Sequence, residues 1–384
     1  MIYLDNNATT QLDPAVLEEM LPFLTTEYGN PSSAYGFAAR ARDAIDIARE
    51  QVATLVGCQP GEIVFTSGGT ESSNTAMSSA LQLDARRQHV ISTAVEHSAT
   101  MRYGEHLAKG GASVTFVGVD GEGNLALDEL EQAIRPDTAI VSAMWANNET
   151  GVLFPVQAIA EIARSRRLLF HTDAVQAAGK VPIRLAEAGV QLASFSAHKL
   201  HGPKGVGALY INRRSAFRPM FFGGGQENGR RSGTENVAGI VGFGKAAEIA
   251  AAALADMQTR VGAMRDRFET TLLREAPDCA VNGNREARLP NTSSLSFAGS
   301  ESEAALVLLD QQGICCSAGS ACHTGSLEPS HVLSAMKLSD ERIRGSLRFS
   351  FSRLNTDADI DLALVAIPRA IAKLRAMSPL TTNR

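Results

Sequence analysis

Three polar segments of the sequence each follow a short apolar run and hold residue types able to do chemistry. Thr66-Ser67-Gly68-Gly69-Thr70-Glu71 follows Glu62-Ile63-Val64-Phe65. Its small residues let the backbone approach an anion closely, and hydroxyls beside the free amides of a helix start suit a phosphate. A simple helix-capping turn fits that segment as well. His171-Thr172-Asp173-Ala174-Val175-Gln176 puts a carboxylate at the end of an apolar run, where it can keep a pyridinium nitrogen protonated and let the ring act as an electron sink. A helix N-cap is the plainer alternative. The third segment runs from Ser194 through Lys199 and Lys204 to Gly205. A lysine desolvated among small residues has a lowered pKa and can form an imine, whereas a lone loop lysine is ordinarily a surface charge. What decides is the order: a phosphate-type turn, then a strand-end aspartate, then Lys199. Together they describe an amine that meets a phosphorylated carbonyl cofactor.

The elements that must position these groups are legible in the pattern between Leu12 and Ile211. Runs rich in β-branched residues, at 62–65, 89–92, 113–116, 139–142 and 168–171, alternate with helical stretches. Short continuous apolar strands separated by helices predict βαβ units and a mostly parallel sheet covered on both faces. Ligands in such sheets bind beyond the carboxyl ends of the strands, where the three polar segments fall. From Asn236 to Glu275 an alanine-rich pattern without proline predicts a helix long enough to cross between domains. Strands at Ser293–Phe297 and Arg348–Phe351, with helices near Glu301–Gln312 and Asp357–Arg375, predict a smaller α+β unit. The expected division is a large domain over 13–255 and a small one built from 1–12 and 256–384.

Bulk properties narrow the partners. The 384 residues exceed the size at which one core stops growing, and a net charge of −5 with 44% hydrophobic residues describes a soluble globular chain. Mild acidity argues against nucleic acid or an anionic membrane, so Arg164, Arg166 and Arg167 read as a solvated helix face. The N-terminus has neither the basic nor the apolar region of a signal peptide, and Lys245, Glu248 and Asp256 interrupt the most apolar tract. A cytoplasmic protein without membrane contact is expected. Five cysteines (Cys58, Cys279, Cys315, Cys316 and Cys322) form no CxxC or Cys/His spacing, which argues against disulfides and a structural metal.

Over nearly its whole length the chain resembles the cysteine desulfurases of the class V aminotransferase group, of the nitrogenase-type and iron–sulfur-cluster-type branch. The resemblance is carried by 3–10, Gly29-Asn30-Pro31-Ser32-Ser33, 66–72, Glu96-His97, Asn147-Asn148-Glu149-Thr150-Gly151, 171–176, Ser196-Ala197-His198-Lys199, 231–236 and 317–322. It implies an α/β protein of pyridoxal-phosphate fold type I, in which Lys199 forms the Schiff base and Asp173 pairs with the ring nitrogen. Gln176 would bond the phenolic oxygen and His97 would stack on the ring and help move protons. Thr70, Ser196 and His198 would hold the phosphate with Gly69, Glu71 and Asn148 nearby, and Thr234 would reach in from the second subunit of a homodimer. Asn30, Asn148 and Arg348 would hold the carboxylate of L-cysteine, a role suited to arginine's planar fork.

Cys322 separates this branch from ordinary aminotransferases. Its surroundings, Ser317 to Gly325, have the small, polar, glycine-rich composition of a loop, expected over about 315–330. The resemblance makes Cys322 the thiolate that takes the substrate sulfur as a persulfide and delivers it to an acceptor or cluster-scaffold protein, placed to touch a nascent iron–sulfur cluster. Cys58, Cys315 and Cys316 read instead as buried small hydrophobes. His323 departs from the small hydroxyl residue expected beside Cys322, and is either a stabiliser of the thiolate or a solvated imidazole. With only Ser378–Arg384 after the last predicted helix, no long acceptor-docking extension is expected. Selenocysteine lyase, cysteine sulfinate desulfinase and aminotransferase activities share this scaffold, and a catalytically silent sulfur carrier is the non-enzymatic alternative.

Overall fold

The structure, a computed structural model, describes residues 1–318 and 329–377. After a short β1 (Ile2–Tyr3), the chain builds a seven-stranded sheet from β2 (Ile63–Thr66), β3 (His89–Thr93), β4 (Ser113–Val117), β5 (Thr138–Ser142), β6 (Leu169–Asp173), β7 (Leu192–Ser196) and β8 (Gly207–Ile211). Their spatial order is β2-β8-β7-β6-β5-β3-β4. Every pair from β7 to β4 is parallel, and β8 is antiparallel to both β7 and β2. All residues of β2, β3, β5, β7 and β8 are buried, which is why these runs are continuously apolar rather than alternating.

Only β8 departs from the parallel pattern. It follows β7 through the ten residues 197–206, too few for the crossover a parallel partner needs, so it folds straight back. Gly207 then lets the loop after β2 lie on this pair. A Cβ there would stand 2.5 Å from the Phe195 carbonyl oxygen and 2.6 Å from the Gly68 Cα. Because β3 has β4 on one side and β5 on the other, the winding reverses between β3 and β5 and opens a crevice at the carboxyl edge. The segments after β2, β3, β5, β6 and β7 all reach that edge.

A second sheet contains β9 (Cys279–Val281), β10 (Thr292–Phe297), β12 (Ser317–Ala318) and β13 (Ser346–Ser350) in the order β12-β13-β10-β9, all antiparallel, while β1 pairs in parallel with β11 (Ile314–Cys315). Helices Gly262–Glu275, Ser302–Asp310 and Asp357–Met377 contribute to its apolar core, in which Phe268 meets Phe349 at 5.0 Å and Phe351 at 5.3 Å, edge to face. Ile2 and Leu4 belong to the same core, so the N-terminal strand is packed with residues from the far end of the chain.

The single helix expected over 236–275 is broken. Val237–Ala252 and Leu254–Glu275 are bent by 56°. Ala253, at φ −87° and ψ 0°, leaves the helical region, and a π-turn over Met257–Val261 follows. Alanine-rich composition carries no signal for such a bend. No single helix among the described residues is long and apolar enough to cross a membrane, although this bent pair together passes that test of length and composition.

Phe268 is fully buried against two aromatic rings, Phe349 and Phe351, that follow Arg348 in sequence. Phe268→Ala is expected to lower the free energy of unfolding by about 3–5 kcal/mol, read from urea denaturation of purified protein.

Candidate functional site

The crevice holds a cavity of about 310 Å³ lined by residues from all five of these loops and from the N-terminal segment. Lys199 ends a 3₁₀ turn, Ala197–Lys199, directly after β7. Its Nζ donates to the main-chain carbonyls of Asn7 at 2.6 Å and Ala8 at 2.7 Å. Asp173 is the last residue of β6, and one of its oxygens accepts from Val175 N–H at 3.0 Å. Burial pushes its carboxyl up to about 6, against the opposite pull of the Val175 amide and Lys199. Both side chains line the same cavity.

His97 caps the helix Ser98–Lys109 with its ring, Nδ1 accepting from Ala99 N–H at 3.1 Å. A main-chain N–H only donates, so Nδ1 carries no proton and the neutral ring carries its own on Nε2. Burial, reinforced by Lys199 and His331, holds His97 down at about 4. His198 is likewise held at about 4, by burial and then Lys199. Two uncharged imidazoles therefore face the cavity at neutral pH.

Arg348, on β13, is 2% exposed. Its Nη2 donates to Asp5 at 2.7 Å and its Nη1 to the Asn148 carbonyl at 3.1 Å, while its buried Nε has no partner. Gln176 is held on both ends of its amide, donating from Nε2 to the Asn7 carbonyl at 2.9 Å and accepting on Oε1 from Lys180 at 2.6 Å. The helix Gly69–Leu83 starts at the cavity without a side-chain cap, leaving its first amides open beside Thr70, Ser196 and His198. Gly69 must lack a Cβ here, which would stand 2.8 Å from Val175 Cγ2.

The family model for aminotransferase class V matches residues 2–363. The chain belongs to the aminotransferase class-V family. A cysteine desulfurase of Gluconacetobacter diazotrophicus is 51% identical over 380 residues, covering 98% of this chain and 95% of the relative. A solved NifS-like protein superposes with a TM-score of 0.91 at 39% identity, over 97% of this chain and 99% of that one. A structure titled as SspA in complex with cysteine gives 0.81 at 33% identity, over 91% and 99%. The fold is that of pyridoxal-phosphate enzymes of fold type I, and the family's cofactor is pyridoxal 5'-phosphate.

The class-V cavity fits that cofactor. Open helix amides with two hydroxyls suit its phosphate, the buried Asp173 suits its ring nitrogen, and the Lys199 amine and Gln176 amide have the chemistry to partner its carbonyl and phenolic oxygen. Not every sequence-derived candidate is in the lining. Glu71 turns away, bonding Arg231 at 2.9 Å and the Ser67 amide at 2.8 Å, and so braces the turn rather than facing the cavity. Asn30 is exposed and caps its own loop through Ser32 N–H. Thr234 is exposed and lines a separate cavity of about 180 Å³ with Ser67, Gly205 and Arg231. Cys322 and His323 lie outside the described residues. The other four cysteines are unpaired and none lines the cavity. Burial pushes Cys58 and Cys279 up to about 12 and raises Cys315 and Cys316 too, so none of them is a thiolate at neutral pH.

Sequence reading gave no role to several groups that hold the site. Asn7 and Lys180 bond the pocket residues directly. Glu149 accepts from Ser330 at 2.5 Å, and burial pushes its carboxyl up to about 7. Glu96 accepts from Thr93 Oγ1 at 2.7 Å and Met144 N–H at 2.8 Å, and its second oxygen is buried without a partner. Asn7 and Glu149 carry no local signature, because their partners are distant in sequence.

Burial pushes Glu96 from an ordinary 4.5 up to about 8. A raised folded-state value means that the unfolded chain releases its proton first, so the folded protein loses stability as pH climbs from about 4.5 through 8. The urea resistance of wild type is expected to fall between about pH 5 and 8, and Glu96→Gln to flatten that decline. Equal slopes in the two proteins would contradict it.

Proposed function

We propose that this chain removes the sulfur of L-cysteine, releasing L-alanine and leaving a persulfide on Cys322, with pyridoxal phosphate held by Lys199. The observation that carries the reading is the convergence of Lys199, Asp173, Gln176, His97 and Arg348 on one cavity. Beside Lys199, Arg348 is the one lysine or arginine among the described lining residues, which suits a substrate with a single carboxylate. The names of the relatives, cysteine desulfurase and a cysteine complex, support the same substrate.

Pyridoxal phosphate supplies the electron sink that stabilises negative charge at the substrate α-carbon. Asp173 keeps the ring nitrogen protonated. Arg348 and Asn148 orient the substrate carboxylate, and Asp5 and the Asn148 carbonyl hold the guanidinium in place for it. Lys199 would act as the base that takes the proton from the substrate α-carbon. His97, with its proton on Nε2, moves protons between the α-carbon side and the leaving sulfur. The Cys322 thiolate then attacks the substrate sulfur: the carbon–sulfur bond breaks, a sulfur–sulfur bond forms, and the carbon takes a proton to become the methyl group of alanine. The exchange balances without an external oxidant, because the carbon is reduced as the sulfur is oxidised.

The same reading extends outward. Thr234, exposed and away from its own chain's cavity, serves the cavity of a second copy in a homodimer. Leu17, Leu21, Leu24, Tyr28, Phe221 and Phe222 leave apolar surface that such a partner would cover. The large unit covers 13–255, and 1–12 with 256–384 form the small unit that carries the Cys322 loop. The enzyme works in the reducing cytoplasm, consistent with unpaired described cysteines, and a cluster-scaffold or other thiol protein collects the sulfur for iron–sulfur cluster assembly.

Cys322→Ala is expected to keep the visible absorbance of the bound cofactor while alanine and sulfide production from L-cysteine falls to background. Normal turnover would remove Cys322 as the nucleophile. Lys199→Ala is expected to leave no cofactor attached to the chain after borohydride reduction, checked by the mass of the intact protein.

A further inference from the structure

Lys180 is buried, at 4% exposure, in the turn that follows β6. Its Nζ donates to Gln176 Oε1 at 2.6 Å and to Asn7 Oδ1 at 3.1 Å. Both partners are uncharged amides. A lysine buried without a carboxylate is costly, and burial, with Lys199 and Arg348, holds its pKa well below the usual lysine value. That cost is met at a position one hydrogen bond from two groups of the cofactor cavity.

The chemistry of the contact is one-directional. An ammonium has three donors and no acceptor, whereas a glutamine amide has an acceptor end and a donor end. Lys180 therefore donates to the oxygen of Gln176, and the Nε2 end must turn the other way. There it bonds the Asn7 carbonyl that also accepts from Lys199, which leaves its second hydrogen for the cavity that Gln176 lines. The Asn7 carbonyl, which can only accept, holds the Nε2 end, and Lys180 holds the Oε1 end, so each contact opposes the flipped amide. We infer that Lys180 is a positioning residue that fixes the orientation of Gln176, so that an N–H rather than a carbonyl faces the phenolic oxygen of pyridoxal phosphate. The inference rests on the reading of this cavity as the cofactor site.

An N–H donated to the phenolic oxygen stabilises its anion and lowers the proton affinity of the nitrogen that Lys199 contributes next to it. The readout is the pH midpoint of the visible absorbance band of the loaded protein, measured without substrate. Lys180→Met is expected to raise the midpoint by roughly one pH unit, Gln176→Met to raise it similarly, and the double variant to show no more than Gln176→Met alone. Lys199, Arg348, His97, His198, His201 and Asp173 stand around the same network and are identical in every single and double variant, so their charges cancel in the comparison.

An unchanged midpoint in Lys180→Met overturns the inference. So does a shift that adds in full to that of Gln176→Met, since Lys180 would then act without Gln176. If Lys180→Met does not fold by circular dichroism, Lys180→Leu, which likewise offers Oε1 no donor, replaces it. A rise that vanishes in the Gln176→Met background supports the inference, and no rise or a fully additive one overturns it. A wild-type protein whose visible band borohydride does not fix to the Lys199 peptide removes the cofactor reading itself, whereas a wild-type band that titrates identically in the variant removes only the role of Lys180.

Discussion

One buried asparagine ties the site to the rest of the molecule. Asn7 gives its carbonyl to Lys199 and Gln176, and its side-chain oxygen to Lys180 and Asn291. Its amide nitrogen donates to the Asn148 carbonyl and Thr292 Oγ1, and its main-chain N–H to Ser350 Oγ. These partners come from the loops after β5, β6 and β7 and from β10 and β13 with the segment before β10, so a single residue joins both sheets. At 1% exposure none of these bonds competes with water, and each one left unmade would cost about 1–3 kcal/mol of desolvation.

The electrostatics of the cavity follow from this enclosure. Burial works against whichever form is charged, so the imidazoles of His97 and His198 stay neutral while the carboxyls of Asp173, Glu96 and Glu149 hold their protons to higher pH than usual. Beneath the sheet the same rule applies to His171, held at about 3 and bonded at both ring nitrogens by Ser142 and Ser194. The result is a site whose surroundings are polar yet nearly uncharged. Against that background the ion pair of Arg348 with Asp5, at 2.7 Å, acts over a short distance with little screening.

How far the sequence alone could be read depended on whether a residue's partners are near it in the chain. The β-branched runs, the strand-end Asp173 and the turn bearing Lys199 are local patterns, and they placed the parallel sheet and the heart of the site. The reversal of β8 and the bend at Ala253 are not local. The first follows from the brevity of a connection, and the second from packing that alanine-rich composition leaves open. Glu71 carried a phosphate-loop motif, yet its bonds to Arg231 and Ser67 turn it into a brace. Lys180 and Glu149 went unread for the opposite reason: a lysine after a turn and a glutamate in a polar loop look solvated until distant segments close over them.

The parallel pairing of β1 with β11, and the bonds from Asn6 and Asn7 to Ser350, have a consequence for the life history of the chain. Residues 2–7 are made long before their partners at 314–315 and 346–350. The seven-stranded sheet, whose strands all lie between 63 and 211, has its full complement much earlier. Translation thus produces a nascent scaffold that carries Lys199 and Asp173 well before the clasp that orders them can shut. A vitamin-derived aldehyde has no completed pocket to enter until residues 346–350 have been made.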